Sequence, residues 1–134
     1  MSKISHIGIA VTDLDKSIEA YKIILGCDPE TIEYVAGQKV RVAIFRPAGP
    51  DGSAIELICP DEDNRAIRSF IEKRGEGMHH LSLHVDDVAE RLKILKDNGY
   101  RLIDESPRPG AEGKKIAFIH PKSTGGVLLE LEQD

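Results

Sequence analysis

Two histidine–glutamate pairs recur at one spacing in the sequence. His6 and His80 are 74 residues apart, as are Glu56 and Glu130, so 50 residues separate histidine from glutamate in each half. Imidazole and carboxylate groups together suit Co²⁺, Ni²⁺, Mn²⁺, Fe²⁺ or Zn²⁺. The repeated spacing predicts one divalent metal ion per chain, with these four residues as its ligands and two positions left for substrate oxygens.

The stretches around these residues also repeat. "HIGIAVTDL", from His6, aligns with "HLSLHVDDV", from His80, and "PAGPDGSAIEL", from Pro47, aligns with "PKSTGGVLLEL", from Pro121. All of these matches share the same offset. Chance is a poor explanation for so many coincidences, so the sequence indicates an internal duplication.

Each half has the same predicted order of elements. An alternating strand leads into an amphipathic helix, and three further strand candidates follow with Gly, Pro, Asp and Ser between them. In the second half these candidates are "YRLI", "KKIAFI" and "VLLELE". The unit is βαβββ, used twice, which predicts a single α+β domain over residues 1–134. Its parts are a first module over about 1–60, a connecting helix over about 61–77 and a second module over about 78–134.

Strand alternation separates the polar residues by face. His6 and His80 lie opposite the apolar residues that would contact the helices, and Glu56 and Glu130 do the same in their strands. His84 shares the face of His80 and is a candidate for substrate contact or for supporting the ligands. Alternation turns His79 to the other face, in a structural role. Glu132, near the chain end, is expected to be solvated or at a strand edge.

Composition limits the class of protein. The chain of 134 residues carries a formal net charge of −5, which argues against nucleic acid or an anionic membrane as a partner. Cys27 and Cys59 show no metal or redox spacing and are expected to be buried free thiols. No apolar stretch is long enough to span a membrane or to act as a signal peptide. We therefore expect a soluble, cytoplasmic protein, and a homodimer.

The duplicated unit with its His…Glu, His…Glu arrangement resembles the vicinal oxygen chelate superfamily, and within it the methylmalonyl-CoA epimerase family. The stretches "HIGIAVTDLDKSIEAY", "FIEKRGEGMHHLSLHVDD" and above all "HPKSTGGVLLELEQ" carry this resemblance. It implies that the two modules form an open barrel-like mixed sheet around one metal ion, held by His6, His80 and Glu130, with Glu56 where the family has Gln or Glu. The strand "KVRVAIF" carries no carboxylate, although some epimerases have a catalytic one there.

The resemblance implies a metal-dependent enzyme that removes the proton between the thioester carbonyl and the carboxylate of methylmalonyl-CoA. The metal would stabilise the resulting enolate. Inversion requires a proton carrier on each face of the enolate. Glu130 is the first candidate, and Glu56, Lys115 or His84 could be the other. The CoA phosphates could contact Lys114, Lys115 and Lys122 together with the backbone of "STGG".

Two other functions are compatible with the same fold. A glyoxalase I-like isomerase would act on a glutathione hemithioacetal through the same metal ligands. A sequestration protein would hold a small ligand without chemistry. Fold alone does not distinguish these possibilities, because one fold can support many functions.

Overall fold

A computed structural model of the protein describes residues 2–134 and confirms the predicted α+β fold class. The chain divides into two compact units. Among the described residues, we call His6–His79 the first unit, and His80–Asp134 together with residues 2–5 the second unit. The elements follow the predicted order, βαβββ, a connecting helix, and βαβββ again.

Twelve residues form the longest helix, and the strands are two to eight residues long. The first repeat consists of β1 (Lys3–Ala10), α1 (Leu14–Leu25), β2 (Thr31–Val35), β3 (Val40–Phe45) and β4 (Ala54–Pro60). The connecting helix is α2 (Arg65–Arg74). The second repeat consists of β5 (Gly77–His84), α3 (Val88–Asp97), β6 (Arg108–Pro109), β7 (Lys115–Ile119) and β8 (Leu129–Gln133).

The eight strands form a mixed sheet in the order β2-β3-β4-β1-β5-β8-β7-β6. β1 pairs with β4 in parallel, and Gly8 lies opposite Glu56. β5 pairs with β8 in parallel, and Ser82 lies opposite Glu130. Ser82 and Glu130 each lie 74 residues after their counterparts in the first repeat, Gly8 and Glu56. The duplication therefore extends to strand register, which confirms the repeat seen in the sequence.

Each unit has its own hydrophobic core beneath a helix. In the first unit Leu14 and Ile18 of α1 pack against Leu57 and Phe45. In the second unit Val88 and Leu92 of α3 pack against Leu131 and other aliphatic residues. Because strand side chains alternate, these contacts assign Leu57 and Leu131 to the helix-covered face and turn Glu56 and Glu130 to the opposite face.

Cys27 and Cys59 are free thiols, as expected, but they are half-buried rather than buried. Both pack against the core of the first unit. Burial raises the pKa of the Cys59 thiol above its ordinary value, which disfavours the reactive thiolate. The two cysteines are therefore packing residues.

Aspartate side chains cap the two repeated helices at their first turns. Asp13 caps α1 by accepting a hydrogen bond from the Lys16 amide, and Asp87 caps α3 by accepting one from the Glu90 amide. α1 ends at Gly26, whose φ of 69° is a left-handed conformation that glycine adopts without strain. None of the helices in residues 2–134 is both long enough and apolar enough to cross a lipid bilayer.

One predicted strand was wrong. "YRLI" (100–103) forms no regular strand, and Leu102 makes an isolated bridge to Ile119. The amides of Ile103 and Asp104 both donate to the Phe118 carbonyl, and the Asp104 carboxylate accepts from the Phe118 amide. This local bonding replaces a regular ladder, and the strand β6 forms later, at Arg108–Pro109.

Asn64 generates a stability prediction. Its side chain is buried, accepts from the Ile67 amide at 2.9 Å to cap α2, and donates to the Gln38 carbonyl at 2.8 Å. Asn64→Ala should lower the free energy of unfolding by about 2–3 kcal/mol, because it removes the cap and leaves the half-buried Gln38 carbonyl without this donor.

Asp13→Ala is the matched control for this prediction, because the Asp13 side chain supplies a helix cap at an exposed position. It should cost about 1 kcal/mol. Urea unfolding of both variants measures the difference. Equal losses would show that the bond from Asn64 to Gln38 adds nothing to stability.

Candidate metal centre

The first unit places His6 and Glu56 in contact. The Nδ1 atom of His6 lies 3.0 Å from Oε2 of Glu56, and both side chains are buried. Gly8 lies directly opposite Glu56 in the sheet, and it has no side chain to crowd the carboxylate. A hydrogen bond from Nδ1–H to the carboxylate fixes the tautomer of His6 and leaves its Nε2 lone pair available to a cation.

The second unit places His80 and Glu130 on the equivalent strands. Both side chains are buried, with 8% and 4% of their surface exposed. The His80 ring packs edge-on against Phe118, with the ring centroids 5.8 Å apart. Phe118 lies opposite Glu130 in the β7–β8 pairing, so it shares the face of that carboxylate. Phe118 therefore restricts the orientation of the imidazole and shields it from water.

His6, His80 and Glu130 form a group that could hold a metal ion. Each offers one ligand atom, and the three atoms lie within 4.8 Å of one another. Two buried imidazoles and a carboxylate are a donor set that suits a divalent transition metal. Glu56 is outside this group and contacts His6 instead. The structure thus brings three of the four predicted ligands together and places the fourth beside one of them.

His79 and His84 lie in different surroundings, although both belong to β5. The His79 ring packs edge-on against Phe70 of α2, with centroids 5.0 Å apart. Burial lowers the pKa of His79 to about 4, so the ring is neutral at pH 7. His84 is half-buried at the end of the strand and pairs in register with Glu132. His79 thus has the packing contact expected of a structural residue.

Glu132 is buried, so its expected solvated or strand-edge position was wrong. Its carboxylate accepts a hydrogen bond from the Ser5 hydroxyl and lies 3.4 Å from Nζ of Lys114. Burial lowers the pKa of Lys114, but attraction from Glu132, Asp134 and Glu112 outweighs that effect and leaves the pKa raised. The ammonium group therefore stays charged and compensates the buried carboxylate.

The three lysines considered for the CoA phosphates differ in their surroundings. Lys114 is engaged by Glu132 and Asp134, whereas Lys115 and Lys122 are exposed. Lys115 alternates onto the face of Ala117 and Ile119, which belong to the core beneath α3, so it points away from Glu130. This orientation disfavours Lys115 as a proton carrier.

The "STGG" backbone is largely occupied by its own turn. The amide of Ser123 donates to the His120 carbonyl, and those of Thr124 and Gly126 donate to the Pro121 carbonyl. These three amides are therefore not available to a phosphate group. Lys122, in the preceding 3₁₀ turn at Pro121–Ser123, keeps its ammonium group in solvent.

Ser82 adds a polar group that the metal prediction did not use. Its side chain is fully buried, and among residues 2–134 its hydroxyl has no hydrogen-bond partner. It lies on the face of Glu130, because the two residues are opposite in parallel strands. A buried hydroxyl without a protein partner is costly and points to water or a ligand at this face.

Comparison with known proteins identifies the family. A family model for the Glyoxalase/Bleomycin resistance protein/Dioxygenase superfamily matches residues 5–118. The chain therefore belongs to this superfamily, which confirms the resemblance inferred from the sequence.

Its relatives include methylmalonyl-CoA epimerases. The chain is 37% identical over 135 residues to the mitochondrial methylmalonyl-CoA epimerase of Dictyostelium discoideum, covering 99% of this chain and 79% of that protein. It is 41% identical over 131 residues to the uncharacterized protein YqjC of Bacillus subtilis, covering 98% and 91%. A structure of Streptomyces coelicolor methylmalonyl-CoA epimerase in complex with 2-nitronate-propionyl-CoA is 35% identical, covers 98% of this chain and 94% of that one, and has a TM-score of 0.90.

The contact between His79 and Phe70 generates a prediction. His79→Ala should lower the free energy of unfolding by about 1 kcal/mol, because an edge-on ring contact is lost, and should leave metal content unchanged. His79→Phe keeps an aromatic ring and should recover much of the stability. Thermal unfolding and metal analysis check both variants. Loss of metal from His79→Ala would contradict the placement of this residue away from the ligands.

Proposed function

We propose that the protein is a metal-dependent epimerase that inverts C2 of methylmalonyl-CoA. Its family and its full-length similarity to methylmalonyl-CoA epimerases support an enzyme of this kind. The observation that carries the proposal within this chain is the buried group of His6, His80 and Glu130, whose donor atoms suit a divalent cation. A cytoplasmic location and a homodimer stay predictions.

His6, His80 and Glu130 would hold the cation, and Glu56 would support His6. A carboxylate hydrogen-bonded to the far nitrogen of a ligating imidazole fixes its orientation and increases its basicity. The bound cation would supply stabilisation of the negative charge that develops on the substrate oxygens during deprotonation. The donor set does not select among Co²⁺, Ni²⁺, Mn²⁺, Fe²⁺ and Zn²⁺.

Glu130 is proposed as a proton carrier at C2. It is a carboxylate on the site face of β8, and it is buried, so bulk water does not compete for the proton that it exchanges. A positioned carboxylate of this kind contributes roughly 10²–10⁴-fold to the rate. Because Glu56 contacts His6, we assign it to orienting that imidazole rather than to proton transfer.

Substrate contacts are assigned to His84 and the exposed lysines. His84 lies on the site face four residues beyond His80, where it can contact the acyl group or its thioester. Lys115 and Lys122 are solvent-exposed cations that can neutralise CoA phosphates. Lys114 is given a supporting role, because it already compensates Glu132.

The metal assignment predicts different metal contents for three variants. His80→Ala should lose stoichiometric metal, since a divalent site without one imidazole loses both affinity and geometry. Glu56→Gln should retain the metal, because the amide oxygen can still accept from Nδ1–H of His6. Glu56→Ala should retain it with an affinity lower by about 10–100-fold, the usual effect of removing such a supporting group.

Metal content is measured on purified, folded protein by elemental analysis and titration. His84→Ala is the control, because it removes an imidazole from the same strand but lies outside the group of three ligands. It should bind metal normally. Retention of tight, stoichiometric metal by His80→Ala would overturn the assignment.

The proposed reaction predicts loss of the C2 proton to solvent. Metal-loaded protein incubated with methylmalonyl-CoA in deuterated water should incorporate deuterium at C2 and interconvert the two epimers, as observed by NMR. His84→Ala should lower turnover or substrate affinity by a modest factor without loss of metal.

A parallel incubation with methylglyoxal and glutathione tests the glyoxalase alternative. Efficient formation of lactoylglutathione, without exchange at C2 of methylmalonyl-CoA, would reassign the enzyme. Binding of the thioester without either reaction would favour sequestration.

A further inference from the structure

We propose that Arg108 on β6 binds the free carboxylate of the acyl-CoA substrate and so selects thioesters that carry one. The proposal rests on the proposed epimerase function and deepens it, because that reaction takes place at a carbon between a thioester and a carboxylate. All of the protein residues involved belong to the second unit. Arg108 would determine specificity and would not carry a proton.

Strand register places Arg108 on the face of the sheet that carries Glu130. Arg108 of β6 lies opposite Ile116 of β7, and Ile116 lies opposite Glu132 of β8. Directly opposed residues in antiparallel strands project to one face of the sheet. Glu132 shares that face with Glu130, because strand side chains alternate. Arg108 therefore projects to the face of Glu130, away from the core beneath α3.

Phe118 lies between Arg108 and His80. The guanidinium carbon of Arg108 lies 5.3 Å from the centre of the Phe118 ring. The same ring packs against the His80 imidazole, with the ring centroids 5.8 Å apart. The guanidinium carbon is therefore no more than about 11 Å from the imidazole centre, the sum of these two distances. A cationic side chain is thus held close to a residue assigned to the metal centre.

The guanidinium group of Arg108 is held in place but keeps donors for a ligand. Its Nε atom donates to the Asp104 carboxylate at 3.2 Å, and its central carbon lies over the Phe118 ring. Asp104 is fixed in turn, because its carboxylate accepts from the Phe118 amide at 2.8 Å. Within residues 2–134 the two terminal nitrogen atoms of Arg108 have no hydrogen-bond acceptor. A guanidinium fork of this kind binds a carboxylate through two parallel hydrogen bonds.

Stability alone gives little reason for this arrangement. The side chain of Arg108 is 41% exposed, and ion pairs and cation–π contacts at exposed positions contribute little to folding. The same exposure leaves the terminal nitrogen atoms accessible to a bound molecule. Because the chain carries a formal net charge of −5, an anionic substrate needs a local cation at its binding site.

The carboxylate is the anionic group of the substrate that matches this position. In methylmalonyl-CoA it is attached to C2, so it lies beside the metal centre whenever C2 does. The CoA phosphates are separated from C2 by the thioester and the whole pantetheine arm. A guanidinium close to His80 is therefore placed for the carboxylate, whereas the exposed Lys115 and Lys122 remain candidates for the phosphates.

The test measures binding of methylmalonyl-CoA and of propionyl-CoA to metal-loaded protein by isothermal titration calorimetry. The two thioesters share the CoA moiety and differ only in the carboxylate at C2. Arg108→Gln should weaken binding of methylmalonyl-CoA by about 10–100-fold, the usual effect of losing charge-assisted hydrogen bonds, and should change binding of propionyl-CoA by less than about twofold. Arg108→Lys should show an intermediate loss, because it keeps the charge but not the fork.

Lys96→Gln is the matched control, because it removes another cation of the second unit together with its ion pair to Glu105, at 3.2 Å. It should alter neither affinity, and metal content should be unchanged in all three variants. An equal loss of affinity for both thioesters in Arg108→Gln would overturn the proposal, since it indicates a phosphate contact or a structural effect.

Unchanged binding of methylmalonyl-CoA by Arg108→Gln would also overturn the role of Arg108. If the unmodified protein still exchanges the C2 proton, the epimerase function stands without that role. If the unmodified protein neither binds methylmalonyl-CoA nor exchanges its C2 proton, the epimerase function itself fails, and the role of Arg108 fails with it.

Discussion

The candidate site depends on the parallel pairing of β1 with β4 and of β5 with β8. In each pair, a buried carboxylate lies opposite a residue with little or no side chain: Glu56 lies opposite Gly8, and Glu130 lies opposite Ser82. Burial of an ionised carboxylate is costly unless a compensating group is close. In the first unit that group is His6, at 3.0 Å from Glu56. The sheet thus creates both the space for these charges and the need for compensating groups close to them.

The two repeats share this strand pairing but differ in the charged residues that they bury. In the second unit the buried Glu132 pairs with the half-buried Lys114, whereas the equivalent positions in the first unit hold Ile58 and Val40. Duplication therefore explains the shared histidines and glutamates, and later divergence explains why the two halves bury different charges.

Much of the fold and of the metal group could be predicted from the sequence, because both follow from short-range regularities. The period of two in the strands assigned His6, Glu56, His80 and Glu130 to one face, and the repeat identified which histidine in "MHHLSLH" had a counterpart. The missing strand at 100–103 depended on hydrogen bonds between Asp104 and Phe118, which no local pattern encodes. Burial of Glu132 depended on Lys114 and Ser5, which are distant in sequence.

The hydrogen bond from Ser5 to Glu132 also has a consequence for biosynthesis. It joins residues separated by 127 positions, and the second unit includes the start of β1 as well as β8. The first unit is one continuous segment and can assemble while translation continues. The second unit cannot be completed until Glu132 has left the ribosome and β8 has met the start of β1. Closing so long a loop costs entropy and slows folding, so the pairing of Glu132 with Ser5 should be among the later steps of folding.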